Sequence, residues 1–167
     1  MRYESIEQLY EEKAHIIFRY LMKTGCPKED AEDIMQTTFS KAIEQMIHLS
    51  FDNPSAWLFQ VATNAYYDLC RRNRAYPSLH VEQQFIERMQ QETNDIETFI
   101  LQKETKEEMS AYLQQMTPSY AHLLLLKYDV GLSYEEIALM LNRSVEYVRT
   151  NLYRARQQLK KRMEEER

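Results

Sequence analysis

Apolar residues recur along this chain at helical spacing, with no stretch of alternating apolar and polar positions. From Ile6 to Met22 they fall at Ile6, Leu9, Tyr10, Ile17, Tyr20 and Leu21, which predicts one buried side of a helix. Gly25 and Pro27 then supply a stop and a new start. A second tract, "PKEDAEDIMQTTFSKAIEQM", has acids in its first turns, where the helix dipole favours them, and an apolar stripe through Ala31, Ile34, Met35, Phe39, Ala42, Ile43 and Met46. Its other face carries Asp33, Gln36, Thr37, Ser40 and Lys41. After the connector "IHLSFDN", Asn53 and Pro54 make a cap and first-position pair for a third tract, "PSAWLFQVATNAYYDLCRRNR". Its spacing predicts Trp57, Leu58, Val61, Ala62, Ala65 and Leu69 inside, with Gln60, Thr63, Asn64, Tyr67 and Arg71 outside. Tyr66 falls between the two sets.

The pattern changes after Tyr76. Between Pro77 and Ser110 eight acids face three bases, and strong apolar positions are few before Ile96, which reads as a solvated linker entering a new helix near Asp95. The closing part has its own apolar set: Leu113, Met116, Leu123 to Leu126, Tyr128, Ile137, Leu141, Val148, Leu152 and Leu159. Thr117 and Pro118 form a cap and first-turn pair, and Gly131 ends a helix. In "GLSYEEIALMLNRSVEYVRTNLYRARQQL", Ser133 and Glu136 have capping-box spacing, Asn142 suits a left-handed turn, and Ser144 caps a second helix. This is a helix-turn-helix pattern. Burying Val145, Val148, Leu152, Ala155 and Leu159 forces Arg149, Thr150, Tyr153, Arg154 and Gln157 to the solvated side.

Composition agrees with an all-α chain: two glycines and four prolines among 167 residues leave few tight turns. That length accommodates two small domains, here 1–76 and 105–167, with 77–104 as the linker. No apolar run is long enough for a bilayer and the start resembles no signal peptide, so a cytoplasmic chain is expected. Cys26 and Cys70 lie in no CxxC pair and the four histidines show no metal spacing, so neither a metal nor another cofactor is expected. There is also no phosphate loop or nucleophile motif to suggest an enzyme.

Charge alters the picture most. The net charge is −5, yet between Ser144 and Arg162 six bases (Arg149, Arg154, Arg156, Lys160, Lys161, Arg162) face one acid, Glu146. A helix with exposed cations fits the major groove of DNA, where arginine can bond two acceptors on guanine and its neighbours can hold phosphates. An overall acidic chain lacks the cations for tight binding on its own, because affinity for duplex DNA comes largely from counterion release.

Taken in order, "EDAEDIMQTTFSKA", "AWLFQVATNAYYDLCRR" and "GLSYEEIALMLNRSVEYVRTNLYRARQQL" resemble the extracytoplasmic-function (ECF) sigma factors of the bacterial sigma-70 class over nearly the whole chain. The resemblance implies a non-enzymatic protein with sigma-2-like and sigma-4-like helical domains. Such a protein binds core RNA polymerase, directs it to promoters and commonly answers to an anti-sigma factor. It implies that Asp33, Gln36, Thr37 and Lys41 face the polymerase clamp helices. Gln60, Thr63, Asn64, Tyr67 and Arg71 would lie by the −10 element. Phe51, in the His48–Asn53 connector, would stack on a base extruded from the non-template strand. Arg149, Thr150, Tyr153 and Arg154 would read the −35 element. Glu146 and Tyr147 stand where many relatives have Gly-Thr, and Asn151 where a base is frequent, which points to a different promoter sequence. The alternative is a stand-alone helix-turn-helix activator or repressor, which would need a dimer seam to read a palindrome.

Overall fold

The computed structural model describes residues 5–48, 53–75, 77–92 and 104–166. Among them are eight α-helices and no strand. They divide into two compact units, Met1–Pro77 with Leu139–Arg143 and Ser78–Ala138 with Ser144–Arg167.

In the first unit α1 (Ile6–Lys23), α2 (Lys28–His48) and α3 (Pro54–Arg72) pack on one another. Ser5 caps α1 by accepting from Gln8 N, and Asn53 caps α3 by accepting from Ala56 N. At the end of α1, Gly25 turns left-handed at φ 91°, so that Cys26 N reaches Leu21 O and Gly25 N reaches Met22 O. That paired closure satisfies carbonyls the helix would leave open. The end of α3 repeats it with Arg74 at φ 52°, a conformation that costs a non-glycine residue about 1–2 kcal/mol. Leu9, Ile17, Leu21, Ala31, Ala42, Leu58 and Ala62 are fully buried. Tyr20 packs on Phe59 with ring centroids 4.9 Å apart.

Three expectations for this unit change. Tyr10 and Ile43 are about half exposed, at 52% and 50%, although their spacing placed them inside. In α3 the buried stripe is Ser55, Leu58, Phe59, Ala62, Tyr66 and Cys70, while Trp57, Val61, Ala65 and Leu69 are half-buried. The two stripes share Leu58 and Ala62 and differ by a rotation of the helix. The observed phase brings the Tyr66 hydroxyl to Thr24 O at 2.7 Å, giving a buried phenol a partner. The Ile6 and Met46 side chains lie outside those described.

Along the second unit α4 (Gln83–Glu92), α5 (Lys106–Gln115), α6 (Pro118–Leu124), a π-helical run (Leu125–Val130), α7 (Tyr134–Leu141, of which Leu139–Leu141 group with the first unit) and α8 (Val145–Glu165) follow in order. Thr105 and Glu108 form a complete capping box at the start of α5. Thr117 precedes Pro118 as expected, but its hydroxyl accepts from Gln158 Nε2 instead of capping α6.

The segment read as solvated linker carries structure. Leu79, Val81, Phe85, Ile86 and Met89 are buried, and α4 packs on the π-helical run. The reason lies at the end of that run, whose last carbonyls have no partner within the helix. Arg88 Nη1 donates to Tyr128 O (3.0 Å) and Asp129 O (2.7 Å), and Gln84 Nε2 donates to Asp129 O (2.9 Å). The buried Asp129 carboxylate in turn accepts from Glu82 N at 3.0 Å. A helix expected to begin near Asp95 lies outside the described residues.

Candidate nucleic-acid interface

The exposed face of α8 follows from its caps and its core. Asn142 adopts φ 54°, which ends α7. Ser144 Oγ then accepts from Tyr147 N at 3.1 Å and starts α8. Val148, Leu152, Ala155, Leu159 and Met163 are all at most 2% exposed, which fixes the rotation of the helix. Arg149, Thr150, Tyr153, Arg154 and Gln157 consequently face solvent, Tyr153 at 58% exposure. Side chains three and four apart on such a face form one row, so a basic, a hydroxyl and an aromatic group are presented together. Glu146 is exposed in the first turn, where a carboxylate complements the helix dipole.

Two residues of the basic segment serve the fold. Arg156 is half-buried and donates to Tyr128 Oη at 3.0 Å, so it leaves the exposed row. Tyr128 Oη donates to Glu92 Oε2 at 2.7 Å. Burial and this carboxylate hold its phenol well above the ordinary range. Asn151 turns its amide back to Tyr147 O at 2.8 Å, the familiar return bond to the preceding turn. Sequence spacing counted Arg156 among the six bases of the segment without revealing its partner, because periodicity does not show a polar group on another element.

On α3, Gln60, Asn64 and Arg71 are exposed, whereas Thr63 and Tyr67 are half-buried at the edge of that face. The Thr63 hydroxyl donates to Phe59 O at 2.8 Å. Tyr67 accepts a hydrogen bond from Tyr20, while burial pushes its phenol up. Arg71 pairs with Asp68 one turn earlier, both ends exposed. Arg72 and Arg74 extend the positive end of this face. Phe51 and residues 49–52 of the connector lie outside the described residues.

On α2, Asp33, Gln36, Thr37 and Lys41 are all exposed. Beside them runs a groove of ≈ 850 Å³ lined by Tyr10, Phe18, Met35, Phe39 and Ile43, with Glu11 and Glu32 among its polar residues. Cys26 and Cys70 are buried and unpaired by any disulfide; burial, then the nearby Asp30 charge, pushes the Cys26 thiol up to about 11, so it stays protonated at neutral pH. Among the described residues no group of three or more His, Cys, Asp or Glu is placed to hold a metal, and no helix is long and apolar enough to cross a membrane.

Sequence reasoning overlooked Tyr134. Its ring lies under the Arg149 guanidinium, 5.7 Å from centroid to Cζ, and under Lys127 Nζ at 5.1 Å. The residues come from three different elements, so no local spacing announces the cluster.

Comparison with known proteins accounts for both units. The family model for sigma-70 region 2 matches residues 7–76, and that for sigma-70 region 4 matches residues 106–159. The chain is 30% identical over 156 residues to the ECF RNA polymerase sigma factor SigM of Bacillus subtilis, covering 93% of each chain. It is 33% identical over 164 residues to RNA polymerase sigma factor YlaC of the same organism, covering 96% of this chain and 92% of that one. Among solved structures, CnrH in complex with the cytosolic domain of CnrY has the same fold, with TM-score 0.58 at 22% identity over 97% of this chain and 89% of that one. The sigma factor RpoE of Bartonella quintana, solved with the anti-sigma factor NepR, gives TM-score 0.53 at 17% identity over 96% and 98%. None of these comparisons supports a stand-alone activator or repressor. The chain belongs to the extracytoplasmic-function sigma factors of the sigma-70 family, regulatory proteins that direct promoter-specific transcription initiation.

Proposed function

We propose that the chain binds core RNA polymerase through the exposed side of α2 and touches both promoter elements, one with each unit. Asp33, Gln36, Thr37 and Lys41 form the surface for the polymerase clamp helices. Gln60, Asn64 and Arg71, with Thr63 and Tyr67 at their edge, face the −10 element, and Phe51 is the stacking partner for an extruded base. Arg149, Thr150, Tyr153 and Arg154 read the −35 element. In this division residues 1–76 serve the polymerase and the −10 element, and 105–167 serve the −35 element.

The observation that carries the reading is the buried stripe of α8, which leaves Arg149, Thr150, Tyr153 and Arg154 together in solvent. That array suits the major groove, where a bidentate arginine contact contributes about 1–3 kcal/mol of discrimination. The protein itself carries out no catalysis and acts in the cytoplasm, where the polymerase is. An anti-sigma factor is a further partner, in keeping with the anti-sigma factor NepR in the Bartonella complex.

Size-exclusion chromatography of the chain with purified core polymerase tests the first contact. A one-to-one complex is expected, weakened by Gln36→Ala and Lys41→Glu together. Elution as a lone homodimer that ignores the polymerase would overturn the reading.

A further inference from the structure

We propose that Tyr134 is a positioning residue for Arg149, its ring holding the guanidinium at one place on the exposed face of α8 and thereby sharpening the base preference of that helix. The inference rests on the reading of Arg149 as a base-contacting residue. Arg149 is exposed, and an exposed arginine samples many rotamers, all but a few of which must be given up on binding DNA. A fixed aromatic face narrows that set, because a cation within about 6 Å of the ring centroid is attracted by the ring's quadrupole. Arg149 Cζ lies 5.7 Å from the Tyr134 centroid, inside that range.

The ring is itself held from several sides. Tyr134 is the first residue of α7 and is half-buried. Lys127 Nζ lies over the ring at 5.1 Å and is tied to Glu92 Oε1 at 3.1 Å, with a side chain only 16% exposed. The Tyr134 hydroxyl accepts from Arg156, whose guanidinium also donates to Tyr128 Oη at 3.0 Å. Three cations thus surround one ring. Lys127 and Arg156 are turned inward and paired with Glu92 and with the tyrosine hydroxyls, whereas Arg149 lies on the DNA-facing side. Of the three, Arg149 is the one placed to reach a base, and it starts from a defined position. Such pre-organisation lowers the ordering cost of a contact and makes a misplaced base harder to accommodate.

The test is run-off transcription by reconstituted holoenzyme on promoters that differ by single bases in the −35 element, with thermal melting of each variant. Arg149→Ala is expected to flatten the preference at one base about tenfold or more. Tyr134→Leu should lower the same preference about two- to fivefold. Tyr134→Phe, which keeps the ring, should stay within about twofold of the natural protein. Tyr134→Gln keeps an acceptor for Arg156 but has no ring, and should behave as the leucine variant does. Adding Tyr134→Leu to Arg149→Ala should cost no further preference. The inference is overturned if the ringless variants discriminate fully while Arg149→Ala does not, or if Tyr134→Leu lowers the preference by the same factor in the Arg149→Ala background. If Arg149→Ala itself discriminates as the natural protein does, the assignment of Arg149 to a base has failed and this inference falls with it.

Discussion

Gly131 carries two constraints in one residue. Its φ of +88° is left-handed, and a Cβ built there would stand 2.8 Å from Arg88 Nη1. Gly131→Ala should therefore destabilise the protein by about 1–2 kcal/mol from backbone strain alone, with a further loss as Arg88 gives way; urea unfolding measures it. The two sides of α8 differ more sharply. Leu152→Ala, at a fully buried position, should cost about 2–5 kcal/mol, and Arg149→Ala less than about 1 kcal/mol, in the same experiment. His122 supplies a pH dependence. Burial lowers its imidazole to about 4 from the ordinary 6.5, so the unfolded chain binds the extra proton between those values. Stability is then held above about pH 6.5 and falls as pH drops toward about 4, by at most about 1.4 kcal/mol per unit. His122→Gln should flatten that part of the profile relative to the natural protein. At this scale the sequence was legible wherever the core decides a side chain's direction, as at Val148, Leu152 and Arg154. It was illegible where a polar partner decides it: Arg156 turns in to Tyr128, and Tyr66 displaces Trp57 from the centre of the stripe because its hydroxyl finds Thr24 O.

Caps made the element boundaries readable. Asn53 with Pro54, Gly131, Asn142 and Ser144 all stand where their chemistry placed them, since each solves a local backbone problem that needs no knowledge of the rest of the chain. The helix α4 escaped for the opposite reason. Its apolar residues Phe85, Ile86 and Met89 are three among many polar ones, and what orders it is a distant need, the open carbonyls of Tyr128 and Asp129. The π-helical run has no sequence signature of its own here; "LLKYDV" reads equally well as ordinary helix. Arg88→Ala tests this account of α4. Losing a charged donor to two buried-end carbonyls should cost about 1.5–3 kcal/mol, and hydrogen exchange should report it as faster exchange across Gln83–Glu92 than across Lys106–Gln115.

Charge and division of labour belong to the whole molecule. A net −5 chain whose cations collect on α8 and at the end of α3 has the means to recognise DNA locally without the means to hold it. In the proposed reading polymerase supplies the rest of the affinity, and the exposed residues Asp33, Gln36, Thr37 and Lys41 of α2 are the surface it would take. Family, fold class and the exposed row of α8 were all open to sequence reading, because three motifs in order carry the resemblance and helical spacing with caps is written locally; the cluster around Tyr134 was not, because it joins elements that only folding brings together. The direct measurement of the central claim is promoter-directed run-off transcription by core polymerase with and without the chain, alongside gel shifts of the chain alone. Discrete start sites that appear only with the chain, fade with Arg149→Ala and Arg154→Ala, and accompany DNA binding weaker than micromolar by the isolated chain at physiological salt are the predicted result. Nanomolar sequence-specific binding by the chain alone, with no start site gained by the polymerase, would contradict it.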